Sequence, residues 1–204
     1  MTVEVIQMSM KLEINLIFSL VFLIALLVTQ IFRRPFLGKY AKQAYFVAIG
    51  GVALVAGIYS YLQFMAWVSA PPPARYLLPP YQSINYFLFY VFARYWANYI
   101  LAFLLSLLTL GGARWLNRRY GERFFYPEEP YLIASAIILI GSPLWLFYLI
   151  SVLAIYCLYI LIWVLIMRKN IRVSFYYFWL PIGIAFLLAI SWLSTTKWFV
   201  LFKI

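Results

Sequence analysis

Long apolar runs, separated by short clusters of basic and turn-forming residues, dominate the chain. Residues 14–32, 44–68, 86–110, 131–167 and 175–195 each reach the roughly 17 to 25 apolar residues that carry a helix across a bilayer core. The run 131–167 is longer than one crossing needs, and Gly141-Ser142-Pro143 punctuates it. A helix-ending Gly, an N-cap Ser and a Pro at the first helical position form a stop-and-restart signal. The signal divides the run into a short arm, 131–140, and a full-length helix, 144–167. The arm reaches only about 15 Å at 1.5 Å per residue, so it is expected to be re-entrant or half-crossing. Irregular backbone is not tolerated against lipid, which requires the turn to be sheltered by neighbouring helices or to lie near the outer interface. One long kinked helix is the alternative.

The expected fold is therefore all-α: a polytopic membrane helix bundle, one domain over residues 1–204, with five full transmembrane helices and one short helix. Composition agrees, since 67% of residues are hydrophobic and 10% charged, against about a quarter charged in soluble domains. The first apolar run is read as a retained helix. Glu4, Lys11 and Glu13 precede it, and Arg33-Arg34-Pro35 follow it with no small-residue cleavage site. Cys157, the single cysteine, lies deep in an apolar run and behaves there as a small hydrophobe.

A net charge of +11 raises the question of nucleic acid, but the basic residues cluster at the ends of the apolar runs. Arg33, Arg34, Lys39 and Lys42 fill the first connection; Arg114, Arg118, Arg119 and Arg123 the third; Arg168, Lys169 and Arg172 the last. Short cytoplasmic loops carry such an excess, so 33–43, 111–130 and 168–174 are assigned to the cytoplasm of a cell-membrane protein. The N-terminus and the connection 69–85, which carries only Arg75, are placed outside. Charge is thus absorbed by topology, and no nucleic-acid partner is expected. The final basic cluster falls inside only if 131–167 enters and returns.

The chain contains no aspartate and no histidine, and only five glutamates. General acid–base work, nucleophile activation and metal ligation draw mainly on those side chains and on Cys, so most enzyme chemistry is excluded. No phosphate loop, dinucleotide fingerprint, metal-binding spacing or Ser/His/Asp set occurs, and neither a cofactor nor a metal is expected. Over residues 123–167 the chain nevertheless offers a basic loop, an acidic pair, a short apolar arm, a Gly turn and a long apolar helix. That order, from Arg123 through Pro127-Glu128-Glu129-Pro130 to Gly141, resembles the prepilin-peptidase family of intramembrane aspartyl proteases. The resemblance implies a divergent or inactive relative, because the Gly-x-Gly-Asp aspartate and its partner aspartate have no counterpart here. Glu128 and Glu129 are the candidate acidic site: a pair sharing a proton, or charges that stabilise the start of the short arm. Two carboxylates alone would hold a hard cation weakly.

Arg94 is the most informative single residue, eight residues after Tyr86 and so roughly 12 Å along its helix. A charge at that depth is costly and usually functional. Asn98 and Tyr90, four residues to either side, share its face. Together they form a candidate site for the phosphate or carboxylate of a lipid or lipid-linked carrier, with snorkelling to the head groups as the alternative. Gly50, Ala53, Gly57 and Ser60 form a small-residue strip that marks a helix contact within or between chains. The connection 70–81 carries five prolines, stiffening it towards polyproline II as a ligand for an outside partner. Trp67, Tyr76, Tyr81, Tyr176, Tyr177 and Trp179 read as interface anchors, Trp198 closes the last span, and Pro181 is expected to kink it. The expected function is a non-catalytic membrane component. Its expected partners are membrane lipids and a membrane protein or a second copy of the chain.

Overall fold

The computed structural model describes residues 2–121, 124–142, 144–167 and 175–193. Arg123, Pro143, the basic segment 168–174 and the tail containing Trp198, each given a role by the sequence, lie outside the described residues. Among the described residues seven α-helices follow in order: α1 (Thr2–Phe32), α2 (Arg34–Ser69), α3 (Ile84–Val91), α4 (Ala97–Arg119), α5 (Glu129–Ile140), α6 (Leu144–Met167) and α7 (Trp179–Leu193). No strand occurs among the described residues. A five-residue π-helical segment, Phe92–Trp96, joins α3 to α4. Among the described residues four helical stretches are long and apolar enough to cross a membrane: Ile14–Phe32, Arg34–Ser69, Ile84–Arg119 and Leu144–Ile166. At 15 residues, α7 is shorter than the crossing expected over 175–195.

Two connections expected as loops are largely helix. Only Arg33 interrupts α1 and α2, and α4 continues through Arg118 and Arg119. Arg and Lys are good helix formers, and Pro35 falls in the first turn of α2, where its missing N–H costs nothing. Pro181 is the third residue of α7, still within its first turn, where the N–H that it lacks has no intrahelical acceptor to lose.

Side-chain contacts fix the helix directions. Tyr59 stacks on Tyr95 at 6.1 Å and Tyr45 hydrogen-bonds Ser106 at 2.8 Å, so α2 and α4 run antiparallel. Glu129 at the start of α5 meets Trp179 at the start of α7. Further along, Ile140 lies against Gly183. These two helices therefore run the same way. On α6, Tyr148 faces Phe186 whereas Tyr156 stacks on Phe175 with ring centroids 3.5 Å apart. Hence α6 runs opposite to α7 and to α5, and α5–α6 is a helical hairpin. A single long kinked helix over 131–167 does not fit these contacts.

The turn is made where the sequence placed it. Gly141 ends α5 at φ 75° and ψ 177°, a conformation that glycine alone adopts without strain. Every residue from Leu132 to Gly141 is buried, because α5 packs among α1, α2, α4, α6 and α7. A helix that is apolar all round needs such a jacket. On α6 the buried positions among the described residues are Leu144, Tyr148 and Val152, one turn apart, and the remaining surface is open. Cys157 lies on that open surface. In a membrane the surface faces hydrocarbon, which a water-soluble reagent does not enter. A water-soluble maleimide is expected to label Cys157 slowly in membranes and rapidly after denaturation in dodecyl sulfate; equal rates would place this face in water.

The proline connection departs from an extended peptide. Ala74–Leu77 forms a 3-10 turn, Tyr76 packs edge-on against Tyr81 at 4.6 Å, and Leu78 is buried against the cluster of Trp67, Phe87 and Val91. Burial of an apolar side chain at roughly 1.5 to 3 kcal/mol outweighs the weak polyproline preference.

Candidate functional site

The last turn of α1, the first turn of α2, the segment entering α5 and the segment entering α7 meet at one end of the bundle. Each brings one to three polar or aromatic side chains. Glu129 is 0% exposed. Its Oε1 accepts the Trp179 indole N–H at 2.7 Å and its Oε2 accepts the Tyr126 backbone N–H at 3.0 Å. Glu128, also buried, pairs through Oε1 with Arg34 Nε at 3.5 Å. The Arg34 guanidinium lies over the rings of Tyr126, at 4.2 Å, and Tyr176, at 4.9 Å. Gln30 Nε2 donates to the Tyr176 carbonyl at 2.6 Å, and the Tyr148 hydroxyl donates to the Trp179 carbonyl at 3.0 Å.

Burial pushes the Glu129 carboxyl above its ordinary range, while the Trp179 and Tyr126 hydrogen bonds act in the opposite direction. The neighbouring acids turn to different partners, Glu128 to α2 and Glu129 to α7, so they do not converge on one reacting atom as an acid–base dyad does. Among the described residues no three His, Cys, Asp or Glu side chains come together to hold a metal ion. What the arrangement does chemically is join four chain segments: the buried Glu129 ties α5 to α7 through a charge-assisted bond, Gln30 ties α1 to the segment entering α7, and the partly exposed Arg34 ties α2 to Glu128.

Arg34, Tyr126, Tyr176, Trp179 and Gln30 were not legible as members of this cluster. Tyr176 and Trp179, read from sequence as interface anchors, are buried here with 0% and 5% exposure. Trp179 turns inward because its indole N–H finds Glu129, and Tyr176 because its ring supports Arg34. The contacts join residues 50 and 146 positions apart, and no local pattern signals them.

At the opposite end, Arg94 sits in the middle of the π-helical segment and is exposed, while Tyr90 and Asn98 are half-buried. Its guanidinium lies 5.8 Å from the Tyr90 ring centroid. The next two residues turn inward to α2: the Tyr95 hydroxyl donates to Gln63 Oε1 at 2.6 Å and Trp96 Nε1 donates to Ser60 Oγ at 3.0 Å. The extra residue of a π turn keeps Val91 and Tyr95 on the buried face while Arg94 stays outside it.

The small-residue strip is divided. Ser60 is engaged with Trp96 and with the Ala56 carbonyl. A Cβ added at Gly50 or Gly57 would meet nothing within 4 Å. The glycine under a neighbouring helix is instead Gly51, where a Cβ would fall 2.1 Å from Phe18 of α1.

No family model matches the chain, and neither the curated proteins nor the solved structures contain a match to it.

Proposed function

We propose that this protein is a non-catalytic, multi-pass membrane component that binds a lipid or a membrane-protein partner. The observation that supports this best is the use of its most chemically capable side chains. Glu128 and Glu129 are buried in contacts that join helices, and the flanks of α1, α2, α4 and α6 present large exposed apolar residues. In this reading α7 completes a fifth crossing and α5 is a re-entrant arm. The Arg34 end faces the cytoplasm, and the N-terminus and proline connection face outside. Gly50 and Gly57 of α2, with nothing within 4 Å of an added Cβ, leave room for a close-packed second helix.

A divergent prepilin-peptidase-like activity receives less support, because the two carboxylates face different partners. Native mass spectrometry after gentle extraction tests the main reading, with a retained lipid, a partner chain or a second copy as the expected result. A bare monomer would overturn it, as would cleavage of an added prepilin-type peptide that Glu129→Gln abolishes.

A further inference from the structure

We infer that one anionic phospholipid docks on the flank shared by α2, α4 and the foot of α5, with its phosphate held between Lys42 and Arg114 and its acyl chains against Phe46 and Leu107. This rests on the reading of the chain as a lipid- or partner-binding membrane protein and names one ligand and its place.

Contacts among three helices assemble the flank. Tyr45 of α2 and Ser106 of α4 share a hydrogen bond of 2.8 Å between their hydroxyls. The ring of Tyr131, in the first turn of α5, lies 6.4 Å from that of Tyr45. The Arg114 guanidinium of α4 lies over the same Tyr131 ring at 4.5 Å and donates to its hydroxyl. Lys42 stands three residues before Tyr45, one turn along α2, and both Lys42 and Arg114 are exposed. The two cations therefore belong to helices that meet the same half-buried tyrosine.

Charge is the first property that selects the ligand. Among the described residues no carboxylate pairs with Lys42 or Arg114, since Glu128 faces Arg34 and Glu129 faces Trp179. The Tyr131 bond holds the Arg114 side chain in place and draws on one guanidinium nitrogen. A planar fork of N–H donors suits two phosphate oxygens, and a lysine adds a point charge beside it.

The second property is the apolar surface that adjoins the charge. Phe46 follows Lys42 by four residues and Leu107 precedes Arg114 by seven, spacings that keep each on the face of its cation and one to two turns further into the bundle. They are 58% and 42% exposed. Gly111 lies between Leu107 and Arg114 in sequence, and a Cβ added there would meet nothing within 4 Å, so the path from cation to apolar surface is open. Trp115, next to Arg114 and 57% exposed, is a residue type of the head-group layer. Basic pockets between helices take anionic head groups. An acidic peptide or a nucleic acid would use the cations and leave Phe46 and Leu107 uncovered.

The full-length protein is placed in phosphatidylcholine nanodiscs that contain phosphatidylglycerol, and retained lipid is counted by native mass spectrometry. Wild type is expected to retain one phosphatidylglycerol. Lys42→Gln and Arg114→Gln are each expected to lower retention about fivefold, and the double variant about twentyfold. Arg114→Lys should keep part of it, because the charge remains without the fork. Arg33→Gln at the same end and Arg75→Gln in the proline connection, both exposed positions, are expected to leave it unchanged. If wild type retains phosphatidylglycerol no better than phosphatidylcholine, or the double variant keeps it, the inference is wrong. Equal losses for Arg33→Gln and Lys42→Gln also overturn it, as diffuse attraction to the head groups. Lys42 has an exposed side chain, so its variant and the wild-type comparison decide the matter even if Arg114→Gln misfolds. A protein that holds a partner chain or second copy but no phosphatidylglycerol would remove this inference and leave the proposed function intact.

Discussion

Replacing Glu129 with leucine is expected to destabilise the fold by about 3 kcal/mol, whereas Glu128→Gln should cost about 1 kcal/mol or less. The difference follows from the partners. Glu129 is fully buried and satisfies two donors, the Trp179 indole and the Tyr126 N–H; leucine leaves both unsatisfied in a dry site. Charge-assisted hydrogen bonds contribute about 1.5 to 3 kcal/mol each, and an orphaned buried donor costs about 1 to 3 kcal/mol. Glu128 faces an arginine whose side chain is 41% exposed, across 3.5 Å, a geometry in which solvent screens most of the attraction. Reversible unfolding in mixed micelles, followed by tryptophan fluorescence, measures both. Equal losses for the two variants would mean that α5 is not anchored through Trp179.

The same carboxyl predicts a pH dependence. Its folded pKa lies above the ordinary value of 4.5 because burial disfavours the charged form. A group raised in this way contributes stability that is complete below its unfolded pKa and is lost as pH rises through its folded pKa. Wild type should therefore gain stability relative to Glu129→Gln as pH is lowered towards 4.5. A constant difference between the two proteins across that window would show that the carboxyl does not titrate with folding.

The sequence was informative wherever one local signal decided the outcome. Apolar runs located the long helices, and Gly141-Ser142-Pro143 located the break, because turn chemistry is written in adjacent residues. It was uninformative where packing decided. Arg34 read as one of a cluster of loop cations, yet it begins α2 and lies between Tyr126 and Tyr176. Trp179 and Tyr176 had the composition of a membrane belt and are buried, since only the meeting of α5 and α7 gives the indole its acceptor. The small residues of α2 marked a helix contact within or between chains; within the chain α1 lies over Gly51, and Gly50 and Gly57 have nothing within 4 Å of an added Cβ, since residue size alone does not specify which side of a helix is covered. Nor did the sequence signal the π turn at Arg94, which depends on keeping both flanking segments in register with α2.

Gly141→Ala separates the hairpin from a continuous helix by the sign of its effect. At φ 75° and ψ 177° an L-residue is strained by about 1 to 3 kcal/mol. The space beside the glycine is open, with nothing within 4 Å of an added Cβ, so the penalty is conformational and steric clash adds none. Alanine is therefore expected to destabilise the protein by about 2 kcal/mol. Asparagine should not rescue it, because ψ lies far from the left-handed helical region that asparagine tolerates. Were 131–167 one helix, the same substitution would replace glycine within a helix and stabilise it by about 0.5 to 1 kcal/mol. Unfolding midpoints of Gly141→Ala and wild type in the same micelles decide between the two. A stabilised variant would also remove the reason for α5 to stop within the bundle, and with it the burial of Glu129 at the foot of a short helix.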